Sequence, residues 1–217
     1  MTEPAILAQA TQLIRDGQRR EAVDRLMAAL PGLGEAWQRK ARSLAGLAWY
    51  FEGRHAEALG MFQAAADGSE VPEDWFNVAM AQVQVGGIEA AHAGWQRCFD
   101  LSYQHQDAPE SSTFFQKKLI FAEALLAAGH PDPRGLDLVE RQLMGFFTHY
   151  RITDPSYWAI RGVPAFDDVL GLTRRYYEAM GRSRAEWEAC CAAIAPTVDE
   201  EGQTVLEAAR EAFTAPS

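Results

Sequence analysis

The sequence predicts an all-α protein built from consecutive helical hairpins, on three observations. Ala, Leu, Glu, Gln and Arg fill its long segments, and these side chains lose little freedom in a helix. Runs of β-branched residues alternating with polar ones, the mark of a half-buried strand, are absent. Glycines that interrupt the helical pattern recur at Gly17, Gly53 and Gly86, separated by 36 and 33 residues, as expected of a repeated unit that stacks on its neighbours.

The first hairpin follows from Ile6, Ala10, Leu13 and Ile14, then, after Asp16-Gly17-Gln18, from Ala22, Val23, Leu26, Ala29 and Leu30. Both sets recur at helical spacing, so each segment has one apolar face. The second runs from about Gly34 through Trp49 and Tyr50, breaks at Glu52-Gly53-Arg54, and resumes with Ala58, Leu59, Phe62 and Ala65. The third opens at Pro72, a residue suited to the first helical position. It carries Trp75, Val78 and Ala79, breaks at Val85-Gly86-Gly87, and returns with Ala91, Trp95 and Cys98.

Within each unit small and large residues hold the same register. Ala10, Gly46 and Ala79 precede the turn glycine by seven positions, Ala22, Ala58 and Ala91 follow it by five, and Leu26, Phe62 and Trp95 follow by nine. Small residues let two helices approach, and large ones fill the space beside them. In this pattern the chain resembles the tetratricopeptide repeat family. The resemblance implies a right-handed α-solenoid with three repeats over residues 1–101. Gln9 departs from it, standing where the family usually has an apolar side chain.

Residues 102–217 follow the pattern loosely, as degenerate hairpins expected to continue the first part. A polar stretch at 103–112 leads into a helix through Leu119, Ala122 and Leu125 to Gly129, stopped by His130-Pro131-Asp132-Pro133. The next helix carries Leu136, Val139, Leu143 and Phe146. Residues 148–166 read as an irregular ordered connection, because their aromatics call for burial. A fifth hairpin is expected around Gly181, joining Val169–Met180 to Arg184–Ile194. A capping helix from Asp199 to Phe213 closes the chain, opened by acidic residues that suit a helix N-terminus.

Composition narrows the function. Twenty Lys and Arg face thirty Asp and Glu, a formal net charge of -10 that repels phosphate backbones, so nucleic acid is not an expected partner. No window approaches the roughly 18 apolar residues of a membrane span. The opening residues lack a basic and apolar leader, and three cysteines make neither a disulfide framework nor a zinc spacing. The expected setting is the reducing cytoplasm. His55, His92, His105, His130 and His149 never share a helical turn, and no phosphate-binding glycine loop or nucleophile elbow occurs. No metal, cofactor or catalytic residue is expected.

Two clusters remain. His149, Arg151, Asp154, Tyr157 and Arg161 combine titratable and aromatic groups in non-repetitive sequence. They could line a pocket of an enzyme or small-ligand binder, against a plainer reading as a packed connection. The second cluster depends on the resemblance, which implies that the first helix of each hairpin lines a concave groove. Its inward side would carry Leu7, Thr11, Ile14, Leu47, Tyr50, Phe51, Phe76, Met80 and Val83. That groove is apolar, and Leu47, Tyr50, Phe51, Phe76, Met80 and Val83 are expected to contact a partner. The function expected is a protein-interaction scaffold or chaperone-like adaptor that holds an apolar peptide or helix, with self-filling of the groove or a structural role in a homo-oligomer as alternatives.

Overall fold

The computed structural model describes residues 2–104, 112–150, 153–156 and 164–214, with the side chains of 112–114 and 145–150 outside that description. Among the described residues there is no strand. The α-helices whose bounds fall among the described residues are, in order, α1 Glu3–Arg15, α2 Arg19–Ala29, α3 Glu35–Phe51, α4 His55–Ala66, α5 Pro72–Gln84, α6 Ile88–Gln104, α7 Ser112–Ala127, α8 Pro133–Tyr150, α9 Phe166–Ala179, α10 Arg184–Ile194 and α11 Glu200–Glu211. They fall into two compact units, residues 1–107 and 108–217.

One turn geometry joins the helices of five hairpins. Gly17, Gly53, Gly86, Gly129 and Gly181 all have φ between 70° and 79°, a conformation that costs a residue with a Cβ. The amide after each glycine donates to a carbonyl five residues back: Gln18 to Leu13, Arg54 to Trp49, Gly87 to Gln82, His130 to Leu125 and Arg182 to Tyr177, at 2.8–2.9 Å. This arrangement satisfies carbonyls that a helix end would leave exposed. The turn therefore persists through the second unit, where the intervals between glycines do not.

In the first unit α1 packs on α2 and α3, α3 on α4 and α5, and α5 on α6. Ala10, Ala22, Ala58, Ala79 and Ala91 are fully buried, and Leu26, Phe62 and Trp95 are no more than 5% exposed, as the repeat register requires. Gly46 is the tightest of these contacts. A Cβ there would lie 2.5 Å from the buried Phe62 ring, so α3 and α4 meet at a distance that only glycine permits. Helix propensity alone would make Gly46→Ala stabilising by about 1 kcal/mol, whereas overpacking costs about 1–3 kcal/mol. A net fall in the urea midpoint is the expected outcome. A rise would show that Phe62 yields freely.

A core cluster of the second unit comprises Leu136, Val139, Leu143, Val169, Tyr176, Trp187, Ile194 and Leu206, among others. Its centre is α9, which packs on α7, α8 and α11. Tyr176 is fully buried and its hydroxyl donates to the Ala122 carbonyl at 2.6 Å. Gly135 provides the space for that ring. Burial, and then the Asp132 charge, push the Tyr176 pKa up. Burial also raises Tyr177, reinforced by the hydrogen bond its hydroxyl donates to Glu140.

Carboxylates set helix starts in this unit, among them those of α10 and α11. Ser183 and Glu186 form a reciprocal capping box at α10. The Ser183 amide, then its hydroxyl, then Arg182 hold Glu186 well below its ordinary 4.5, at about 2. Asp199 caps α11 by accepting from the Gly202 amide at 2.9 Å, and it accepts from the Thr153 amide at 3.0 Å and from the Thr153 hydroxyl. Partial burial works to raise its pKa, but these bonds outweigh it, and the pKa lies below the ordinary 3.8. Both pKa values are lower folded than unfolded. The stability they contribute is thus fully present above pH 4.5 and is lost as the pH falls towards 2. Melting followed from pH 6 to pH 2 should fall less for a Glu186→Gln, Asp199→Asn double variant than for wild type, and identical slopes would contradict the assignment.

Candidate functional site

Helices α1, α3 and α5 lie side by side in the first unit, α1 against α3 and α3 against α5. The site they form is best seen on α3. Trp37, Lys40, Leu44, Leu47 and Phe51 stand at intervals of three and four along that helix, so they form one stripe. None of the five is fully buried.

At the N-terminal end of the stripe is a cleft of about 470 Å³ spanning all three helices. Leu7 contributes from α1, Trp37, Lys40 and Leu44 from α3, and Asn77 from α5, with Val71 from the α4–α5 connection. The Lys40 ammonium lies 4.7 Å from the Trp37 ring centroid, a distance at which the ring face attracts a cation. Beneath the cleft a polar network fixes α3 to α5. Asp74, 5% exposed, accepts from Arg39 at 2.9 Å, Ser43 at 2.9 Å and Ser69 at 2.6 Å. A buried carboxylate with all these donors is satisfied, and it holds the backbone of the cleft in place.

At the other end of the stripe lie most of the residues expected to contact a partner. Phe51 is 58% exposed, with Tyr50 edge-on at 6.2 Å and the Arg19 guanidinium 5.9 Å from its ring centroid. Leu47 and Tyr50 are half-buried and pack against the cluster of Ala58, Phe62, Val78 and Ala81. Burial raises the Tyr50 hydroxyl pKa, opposed by its hydrogen bond with Gln84. Phe76 and Met80 are half-buried, Phe76 meeting Trp95 edge-on at 6.3 Å. Val83, at 1% exposure, is enclosed in the core. Of the α1 positions, Leu7 is 8% exposed, Thr11 donates to the Leu7 carbonyl at 2.9 Å, and Ile14 is half-buried.

The sequence reading passed over Trp37, Lys40, Leu44 and Asn77. Trp37, Lys40 and Leu44 share the three-and-four spacing along α3, which extends past the positions the repeat register compares, whereas Asn77, on α5, carries no such signal.

The cluster around residues 148–161 is placed only in part. Asp154 is exposed and its carboxylate accepts from the Ser156 amide at 2.8 Å. Arg151, Tyr157 and Arg161 lie outside the described residues, as does the side chain of His149. Among the described residues no three His, Cys, Asp or Glu side chains are grouped to hold a metal ion, and no helix is long and apolar enough to cross a membrane. Cys98, Cys190 and Cys191 are buried thiols, and burial raises the last two, Cys191 to about 11. Such thiols are poor nucleophiles.

No family model matches the chain, and no curated protein matches it. Two solved structures do. One is a Podosopora anserina protein described as kinesin light chain nearly identical TPR-like repeats, with a TM-score of 0.67 at 17% identity, over 93% of this chain and 95% of that one. A single-substitution variant of the same protein gives a TM-score of 0.64 at 16% identity, over 97% and 96%. At these identities the likeness is one of fold. It extends over nearly the whole chain, which is an all-α solenoid of tetratricopeptide-like hairpins.

Proposed function

We propose that this protein is an interaction scaffold, a chaperone-like adaptor, that holds an apolar segment of another polypeptide against the face presented by α1, α3 and α5. The observation that carries this reading is the continuous stripe from Trp37 to Phe51, with an open cleft at one end and an exposed aromatic ring at the other. Large aromatic side chains set in partly desolvated surroundings are the residues that contribute most to binding. The fold supports the reading in a general way, since side-by-side first helices of hairpins make an extended surface.

The mechanism is capture without covalent chemistry. An apolar partner side chain enters between Trp37, Leu44 and Leu7, and a second covers Phe51. Asn77 and Ser43 at the cleft offer hydrogen bonds to a partner backbone. Met80 adds a side chain that adapts to different contours. A selection of random peptides on the full chain tests this. Apolar sequences should be enriched, and their binding should be weakened by Trp37→Ser or Phe51→Ser. Enrichment of sequences insensitive to both changes would overturn the assignment of the face.

A further inference from the structure

Two serines donate to the Asp74 carboxylate beneath the cleft of α1, α3 and α5, and they differ in what is left of their hydrogen-bonding capacity. Ser69 has all of it in use. Its hydroxyl donates to one carboxylate oxygen at 2.6 Å, and its own oxygen accepts from Arg39 at 3.2 Å and from the Val71 amide at 3.1 Å. Ser43 donates to the other carboxylate oxygen at 2.9 Å. Its own oxygen accepts no hydrogen bond among the described residues, and the half-buried side chain lines the cleft.

A hydroxyl has one proton and two pairs of acceptor electrons. The Ser43 proton is held by an anion in a charge-assisted bond, so what Ser43 offers the cleft is an acceptor alone. The carboxylate behind it polarises the hydroxyl and makes that oxygen more electron-rich. Around it stand the apolar walls of Leu7, Trp37, Leu44 and Val71. The complement of such a place is an N–H that arrives beside an apolar side chain, since an acceptor covered without a donor costs free energy. The interior of a partner helix cannot supply that N–H, because each of its amides is bonded to a carbonyl four residues back. An extended chain has its main-chain N–H groups free.

We propose that Ser43, fixed as an acceptor by Asp74, reads a main-chain N–H of an extended partner segment, so that the cleft selects extended apolar peptides over amphipathic helices. This inference rests on the capture of apolar segments by the α1–α3–α5 face and specifies the conformation in which they are captured. Asp74 acts through Ser43 and is a positioning residue.

The test uses the full chain and a peptide selected on it whose binding is weakened by Trp37→Ser. The peptide is resynthesised with one amide replaced by an ester at each position in turn, which removes a single N–H and leaves every side chain in place. At one position the replacement should lower the affinity for the wild-type chain about tenfold. On Ser43→Ala the same replacement should cost about twofold or less, since its partner is already gone. Ester losses that are the same at every position on both chains overturn the proposal. So does a run of losses at consecutive positions that ignores Ser43, the pattern of a helical peptide. Should the melting curve show that Ser43→Ala does not fold, Ser43→Cys takes its place, because a thiol is close in size and its sulfur is a weak acceptor. The same loss of ester sensitivity must appear there. A selected peptide indifferent to both Trp37→Ser and Phe51→Ser is a different result, which removes the face itself and this proposal with it.

Discussion

Replacing Trp187 by Ala should lower the unfolding free energy by about 3–5 kcal/mol, the cost of removing a large buried aromatic. Trp187 is fully buried, edge-on to Tyr177 at 5.4 Å and stacked on Phe213. The variant leaves Ala209 without the indole donor and Phe213 without its shelf, so it removes packing of α9, α10 and α11 at once. Trp187→Phe restores part of the ring contact and should recover part of the loss. Urea unfolding measures both. A loss below about 1 kcal/mol for the alanine variant would mean that the second unit's core closes over the cavity.

Changing Tyr50, Phe76 and Met80 together to Ser should cost stability as well as binding. Were these side chains fully exposed, their replacement would leave folding nearly untouched. All three are half-buried, with Tyr50 against the Phe62 cluster and Phe76 against Trp95. Full burial would make each replacement worth about 2–5 kcal/mol. Half-burial places the combined loss at about 3–6 kcal/mol on the same scale. A melting temperature equal to wild type would show that they stand free of the core.

The hairpins of the first unit were legible because their information is local. A turn glycine, a small residue seven positions before it and another five after it specify where two helices cross, and Gly46 against Phe62 is that specification at its tightest. The same turn occurs at Gly129 and Gly181, yet the spacing that betrays a repeat is lost between them. There the packing is set by long-range contacts such as Tyr176 on Ala122, which leave no periodic trace. The face of the site was legible in part. Tyr50 and Phe51 follow from register alone, but register does not separate Val83, enclosed in the core, from Phe51, exposed beside solvent. The Asp74 network was hidden for another reason. Arg39, Ser43 and Asp74 look in sequence like a solvated helix surface, and only the folded chain brings their side chains together.

The charge balance also had a consequence that folding preserves. Many ion pairs are exposed and lie within one helix, such as Arg25 with Glu21 and Arg141 with Asp137, and pairs of this kind contribute little. The pair of Arg39 with Asp74 is the contrasting case, since the carboxylate is 7% exposed at its side chain. Removing either partner there strands a charge and costs more than any surface pair.

Phe51→Ser tests the account most directly, because Phe51 is the large apolar side chain of the face that folding leaves 58% exposed. The measurement is the affinity of a peptide selected on the wild-type chain, taken alongside the melting curve of the variant. The account predicts a stability change within about 0.5 kcal/mol, as for a surface position, together with an affinity loss of about 2 kcal/mol or more, roughly thirtyfold. A variant that melts like the wild type and binds the peptide with unchanged affinity would contradict it.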